Sequence, residues 1–341
     1  MGFTSQAGQV IVRSQAVLGT FQADTATAGV GVKLKSGSLG SNRDLLIPDA
    51  EIGGGRDVVD SQLGPASWTG DYDLYARIDA IATFLKAALG TAAGPVTTTG
   101  MTQHTLTPLD SGTLPPLSIE ENIGGSLETY NYTDVFVNTF HLECDAGGYM
   151  SCKVGLIAAK QIAGATKTIA GVKWDATSMY VGTNITALYN AVSLPAKKFS
   201  LDINNNIAAD DFRLGSFYLG DVTAKRREIT ASFGIRQQSS ALWRQATYGL
   251  ASAVAPGGNT IEAPLVITAL SYDDIPGATP VGTKYSIALT MPNFVLKPFS
   301  LSASGDDVIE NDIEGQAFRP SAATPVITAV LKTGATGLVI A

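Results

Sequence analysis

The chain has 341 residues, which is enough for two domains of ordinary size, and 45% of them are hydrophobic. The formal net charge is −7, with 30 acidic and 23 basic residues, which argues against a protein that wraps nucleic acid with basic patches. Charged residues make up only 16%, against about 25% in a typical soluble domain, so we expect other subunits to cover part of the surface.

A long arm is predicted over about residues 40–70, after two strands with apolar residues spaced by two (QVIVRSQAVL and GVGVKLKSG). It holds three consecutive glycines, two prolines and many apolar residues without a regular period. Such a stretch is usually functional or disordered, and its apolar content argues against a solvated linker. We therefore predict an assembly arm that orders on a partner surface. Its central residues are Leu46, Ile47, Pro48, Asp49, Glu51, Ile52, Gly53, Gly54, Gly55, Arg56 and Asp57.

An amphipathic helix is predicted over about residues 71–89. Asp71 and Asp73 suit a helix N-terminus, where backbone N–H groups lack partners, and Gly90 suits the C-terminal stop. One face is marked at helical spacing by Leu74, Ile78, Ile81, Leu85 and Ala88. A second helical segment, SSALWRQATYGLASA, lies in the second half of the chain.

The last third of the chain repeats features of the first half. The segments VNTFHLECDAGGYMSCKVGLIAA and VLKPFSLSASGDDVIENDIEGQAF each begin as an alternating run, turn through Gly and Asp, and return as a second run. Each is preceded by a helical segment and by a similar strand, LSIEEN around Ile119 or YSIALT around Ile287. The repeat predicts a mainly β chain of two tandem β-sandwich or barrel units, residues 1–194 and 195–341, each with one flanking α-helix.

Residues suited to catalysis or metal binding are few. The two histidines are His104 and His141, and His141 faces away from Cys144 on the predicted strand, which disfavours a zinc site. Cys144 and Cys152 share one apolar face of a predicted hairpin, so we predict buried free thiols, with a disulfide as the less favoured alternative. No nucleophile elbow or phosphate-binding loop occurs, and we expect no enzymatic activity, cofactor or metal.

Three basic residues, Lys225, Arg226 and Arg227, lie near the tip of a second predicted hairpin, SFYLGDVTAKRREITASFGI. Such a cluster can stay solvated, contact phosphate or pair with an acidic neighbour, and we favour pairing between subunits. The apolar end of the chain, PVITAVLKTGATGLVIA, is predicted as a strand that pairs with a neighbouring subunit.

The order of these segments resembles the tail tube proteins, or major tail proteins, of long-tailed bacteriophages. The resemblance rests on MGFTSQAGQV, the arm RDLLIPDAEIGGGRDVV, the segment SWTGDYDLYARIDAIATFLKAALG and the paired hairpins, and it covers most of the chain. It implies a structural virion protein, assembled in the host cytoplasm, that forms stacked rings around a DNA channel. The implied partners are further copies of the chain, tail tip and terminator proteins, a tape measure protein in the lumen, and double-stranded DNA that passes without specific binding; no membrane is implied.

Two alternatives stay open at this point. A chain with two units would form a ring of three chains with pseudo-six-fold symmetry, whereas a chain with one unit would form a ring of six. The rival function is a carbohydrate-binding or adhesin-like double sandwich, which would need Trp68, Trp174 and Trp243 to cluster on the surface.

Overall fold

A computed structural model describes residues 4–23, 29–49, 51–52, 56–58, 60–110, 112–125, 127–166, 172–301 and 308–334. Strands dominate these residues, as the sequence predicts, and two α-helices accompany them. Neither of these helices is long and apolar enough to cross a membrane.

The strands are numbered in chain order. β1 to β11 are Gln9–Ser14, Val30–Val32, Leu34–Gly37, Gly40–Leu46, Gln62–Tyr75, Gly90–Ala92, Val96–Thr98, Met101–Pro108, Leu117–Ile123, Glu128–Asp145 and Ser151–Ile162. β12 to β22 are Lys173–Trp174, Ile185–Tyr189, Val192–Ser193, Ala196–Asn204, Ile207–Ala208, Thr223–Ala224, Glu228–Arg236, Ala263–Asp274, Lys284–Leu296, Glu310–Phe318 and Thr328–Gly334. The helices are α1, Ile78–Leu89, and α2, Ala241–Tyr248, and short 3-10 turns cover Ser5–Ala7 and Gly182–Asn184.

A run of antiparallel strands connects the two halves of the chain. Its order is β5, β11, β10, β15, β18, β21 and β20. β10 bulges between Val137 and Thr139, so that its first part pairs with β9 and its second part with β15. The main hydrophobic core contains buried residues from both halves of the chain, from Val10 in β1 to Leu331 in β22. Strands from both halves of the chain therefore share hydrogen bonds and a core.

The helix predicted to begin near Asp71 begins later, at Ile78. Asp71 and Asp73 lie on β5, where their carboxylates pair with lysines of the neighbouring strands at 3.0 and 3.2 Å. The prediction failed here because aspartates spaced by two suit the polar face of a strand as well as the first turn of a helix. The helix ends as predicted, since Gly90 adopts the left-handed conformation at φ 106°.

The helix α1 is buried on all sides, so the predicted single apolar face is wrong. Every residue of α1 except Lys86 is buried. Its N-terminus is capped from a distant segment: Asp175 Oδ2 accepts hydrogen bonds from the N–H groups of Asp79 (2.8 Å) and Ala80 (3.3 Å). Burial, and then the neighbouring Asp175 carboxylate, raise the pKa of Asp79, and Lys173 at 2.9 Å opposes this shift.

The second half departs from the sequence prediction in its strands. Phe299 and Leu301 alternate as a strand would, but β20 ends at Leu296 and residues 297–301 are irregular. The predicted hairpin around residues 217–236 is absent from the described chain: β17 pairs with β16, whereas β18 pairs with β15 and β21. The strand predicted to reach a neighbour, β22, pairs with β8 and β20 of its own chain, and residues 335–341 lie outside the described residues.

The two upstream strands that looked alike are not equivalent in the fold. Ile119 lies on β9, which pairs with β1 and β10, whereas Ile287 lies on β20, which pairs with β19, β21 and β22. The second helix is present as α2, but it is short and none of its residues is buried.

The core also holds buried carboxylates. Arg13 and Glu120 form an ion pair at 3.3 Å that is almost completely buried. Burial raises the pKa of Glu121 to about 7, and the Leu39 backbone and then the Tyr132 side chain oppose the shift. Folding therefore favours the protonated form of Glu121.

Replacing Asp175 with Ala should lower the free energy of unfolding by about 1–2 kcal/mol, because the substitution removes the cap of α1. Asp175→Asn keeps an oxygen acceptor and should cost less. Urea unfolding followed by circular dichroism measures both variants. Equal losses in the two would contradict the capping role.

Glu121 should make stability depend on pH. Because its pKa is raised from 4.5 to about 7 on folding, its stabilising contribution is complete below about pH 4.5 and is lost as pH rises through about 7. Glu121→Gln should remove this loss, so that the variant gains on the order of 3 kcal/mol over the wild type between these two limits. Urea titrations of both proteins at pH 5 and pH 8 test this, and an unchanged pH dependence in the variant would contradict it.

Candidate assembly surfaces

The predicted arm is a β-hairpin and not an irregular segment. β4 and β5 pair from Gly40 opposite Thr69 to Leu46 opposite Gln62. Every residue of β4 is exposed, so burial imposes no alternation of apolar and polar residues on this strand. The usual sequence signal of a strand is therefore missing.

The outer part of this hairpin exposes apolar side chains. Leu45 and Leu63 lie directly opposite each other and are 56% and 54% exposed. The described residues of the predicted arm are likewise exposed: Leu46, Ile47, Pro48, Asp49, Glu51, Ile52, Arg56 and Asp57. Gly53, Gly54 and Gly55 lie outside the described residues. Burying one Leu or Ile side chain contributes about 1.5–3 kcal/mol, so this hairpin favours contact with a partner.

The base of the hairpin contacts the segment that contains Phe217. Arg43 Nε donates a hydrogen bond to the Gly64 carbonyl (2.7 Å), and its guanidinium lies 5.7 Å from the ring centre of Phe217. The N–H of Ala66 donates to the Phe217 carbonyl (2.8 Å). Phe217 is itself 64% exposed. The apolar surface therefore continues from the arm to its base.

The three basic residues do not form one exposed cluster. Arg227 donates from Nε to Asn205 Oδ1 (2.9 Å) and from Nη2 to the Leu89 carbonyl at the end of α1 (3.4 Å), and burial lowers its pKa. Arg227 therefore binds its own chain, which corrects its assignment to a contact between subunits. Lys225 and Arg226 are exposed and remain candidates for such a contact.

The outer edge of β3 and β4 is a further surface that was not predicted from the sequence. Both strands pair with β5 on one side, and no described strand pairs with the other side. A free edge presents unpaired N–H and C=O groups that can bind another strand. Its sequence signal was the likeness of LKSGSLGSN, residues 34–42, to AKKFSLDIN, residues 196–204.

The cysteines and His141 do not form a metal site. Cys144 and Cys152 are buried free thiols, as predicted, and burial raises the pKa of both, that of Cys144 to about 11. His141 lies on the other face of the strand, with Nδ1 2.6 Å from Asp202 Oδ1. In the described part of the chain, no three His, Cys, Asp or Glu residues are placed to hold a metal ion.

The tryptophans form no exposed platform for a sugar. Trp68 is buried, and Trp174 and Trp243 are partly buried. The carbohydrate-binding alternative therefore gains no support from their placement.

Comparison with known families gives a match to a family model over nearly the whole chain. The model describes phage tail tube proteins and matches residues 5–317. A search of curated proteins finds no match.

Proposed function

The chain belongs to the phage tail tube protein family, and we propose that it polymerises into stacked rings that form the tube of a long-tailed phage. The tube conducts DNA into the host. The observation that carries this proposal is the exposed apolar hairpin, since a projecting arm of this kind gains free energy when a neighbouring subunit or ring covers it. Assembly takes place in the host cytoplasm and the product resides in the virion tail.

The proposal includes two tandem tail-tube units, residues 1–194 and 195–341, and the strand pairing supports it. β3 and β4 pair with β5 in the same way as β15 pairs with β18. The pair Leu34 and Leu74 corresponds to the pair Ala196 and Ile235. In both ladders the register shifts by one residue directly after this pair. β11 lies on β5 as β21 lies on β18, and β10 lies on β11 as β20 lies on β21. A helix follows both β5 and β18.

Two units in one chain favour three chains per ring over six. A head-to-tail contact generates a closed ring when the rotation between neighbours divides a full turn. If one chain supplies two similar units in succession, three chains supply six, and the ring has pseudo-six-fold symmetry.

The remaining partners follow from the tube. Lys225 and Arg226 are proposed to pair with acidic groups of a neighbouring subunit, which the net charge of −7 makes abundant. The tape measure protein and then double-stranded DNA occupy the lumen. Tail tip and terminator proteins lie at the ends of the tube. A net acidic wall suits a conduit because each cation–phosphate contact would slow the passage of DNA.

Deleting Asp49–Asp57 should leave a folded protein that no longer forms tubes, because the deletion removes the outer end of the arm and spares the core. Circular dichroism tests the fold and negative-stain microscopy tests the tubes. The triple variant Leu46→Ser, Ile47→Ser, Ile52→Ser should fail in the same way, whereas Asp49→Ser with Glu51→Ser, the matched polar control, should assemble. Normal tubes from the deletion variant would show that the arm is not an assembly element.

The assembled tube should not bind double-stranded DNA, because its proposed lumen is net acidic. Fluorescence anisotropy of a short labelled duplex, measured at low ionic strength where screening is weakest, tests this, with a basic DNA-binding protein as positive control. Tight, salt-sensitive binding would contradict a non-adhesive conduit and would point to Lys225 and Arg226 as phosphate contacts.

A further inference from the structure

The correspondence between the two halves also identifies how one copy joins the next. We propose that residues 298–301 of one copy pair as an antiparallel strand with the outer edge of β4 in a second copy. The register places Phe299 opposite Ser41 and Ser300 opposite Gly40. This inference rests on the proposed function and names the strands that close the ring.

The template for this contact lies inside the chain, where β10 pairs with β15. In that ladder Phe140 is opposite Ile203, and His141 is opposite Asp202. The two side chains of the second pair meet, with His141 Nδ1 2.6 Å from Asp202 Oδ1. This ladder carries the sheet of the first half directly into the sheet of the second.

The β10 side of this ladder has a counterpart after β20. Val137 opposite Leu156 in the first half corresponds to Leu296 opposite Gly315 in the second. The same offset in residue number relates Phe140 to Phe299 and Leu142 to Leu301. Both segments therefore have the pattern Phe–x–Leu. The N–H of Lys297 donates to the carbonyl of Glu314 (2.7 Å), which extends the ladder of β20 and β21 toward this segment.

The β15 side of the ladder has a counterpart in β3 and β4. Gly40 opposite Thr69 corresponds to Asp202 opposite Thr230, and Ser41 opposite Trp68 corresponds to Ile203 opposite Ile229. In the template, Phe140 is opposite Ile203 and His141 is opposite Asp202. Replacing each residue by its counterpart places Phe299 opposite Ser41 and Ser300 opposite Gly40. The two counterparts are separated by the run of strands from β4 to β20, so we expect each to pair with a second copy and not with the other counterpart of its own chain.

Burial distinguishes the paired segments from their unpaired counterparts. Phe140 and Leu142 are fully buried, whereas Phe299 is only partly buried and Leu301 is 39% exposed. Likewise β15 buries every second residue along most of its length, whereas β4 is exposed throughout. Among the described residues, no strand covers the outer edge of β4 or pairs with residues 298–301. A second copy would satisfy both edges at once.

The contact between copies is expected to differ from its template in two respects. Ser300 and Gly40 replace His141 and Asp202, so the contact lacks the hydrogen bond between those two side chains. The register places Leu301 opposite Leu39, whose carbonyl already accepts a hydrogen bond from the Tyr132 hydroxyl (3.1 Å), so a bond from the second copy would be the second that this carbonyl accepts.

The register can be tested with paired cysteines, Ser300→Cys with Gly40→Cys. Gly40 has no positive φ, and a Cβ there meets nothing closer than 3.7 Å, so the substitution should be tolerated. Directly opposite residues lie about 4.5–5.5 Å apart, within disulfide range. The matched controls, Ser300→Cys with Ser38→Cys and Ser300→Cys with Asn42→Cys, shift one partner by two residues, to about 7–8 Å. Cys144 and Cys152 are buried and common to all three variants.

After mild oxidation of assembled protein, non-reducing electrophoresis should show disulfide-linked chains at least about fivefold more abundant in the Ser300/Gly40 variant than in either control. At full oxidation, the largest covalent species reports the number of chains per ring. Tubes seen by negative-stain microscopy without this preferential cross-link would overturn the register and leave the tube function intact. Absence of tubes and rings in the wild type, together with absence of the cross-link, would overturn both proposals.

Discussion

Backbone hydrogen bonds between β10 and β15 join the two halves of this chain into one sheet. Seven consecutive residues of β10, Thr139–Asp145, pair with β15, and the bulge after Val137 turns β10 away from β9 and toward this partner. The rest of the architecture depends on this ladder, because it aligns β5, β11 and β10 with β18, β21 and β20. At one end of the run, β3 and β4 pair with β5 alone among the described strands, whereas at the other end β20 also pairs with β19 and β22.

The helix α1 fixes the geometry around this ladder. Asn205, which follows β15 directly, donates from Nδ2 to the carbonyls of Ala88 (3.0 Å) and Val137 (2.9 Å). Arg227 reaches the carbonyl of Leu89 from the second half, and Asp175 caps the other end of the helix. Buried carbonyl and N–H groups at helix ends need such partners, so both ends of α1 tie separate parts of the chain to one core.

Unlike the core around α1, the outer surface carries apolar side chains and a strand edge that have no partner among the described residues. The hairpin of β4 and β5 leaves Leu45, Leu46 and Leu63 in solvent, and β4 pairs with β5 alone among the described strands. Both features suit a subunit whose partners are copies of itself, in agreement with the phage tail tube family.

Local sequence by itself determined the strand-rich class, the burial of Cys144 and Cys152 on one strand face, and the end of α1 at Gly90, because alternation and a left-handed glycine are local signals. The repeated segments and the family resemblance were also recognisable from the sequence alone. Only the tertiary structure decided that Asp175 caps α1, that Arg227 turns inward and that the arm is a hairpin. Each of these depends on partners distant in the chain or on full exposure, and neither leaves a periodic pattern in the sequence.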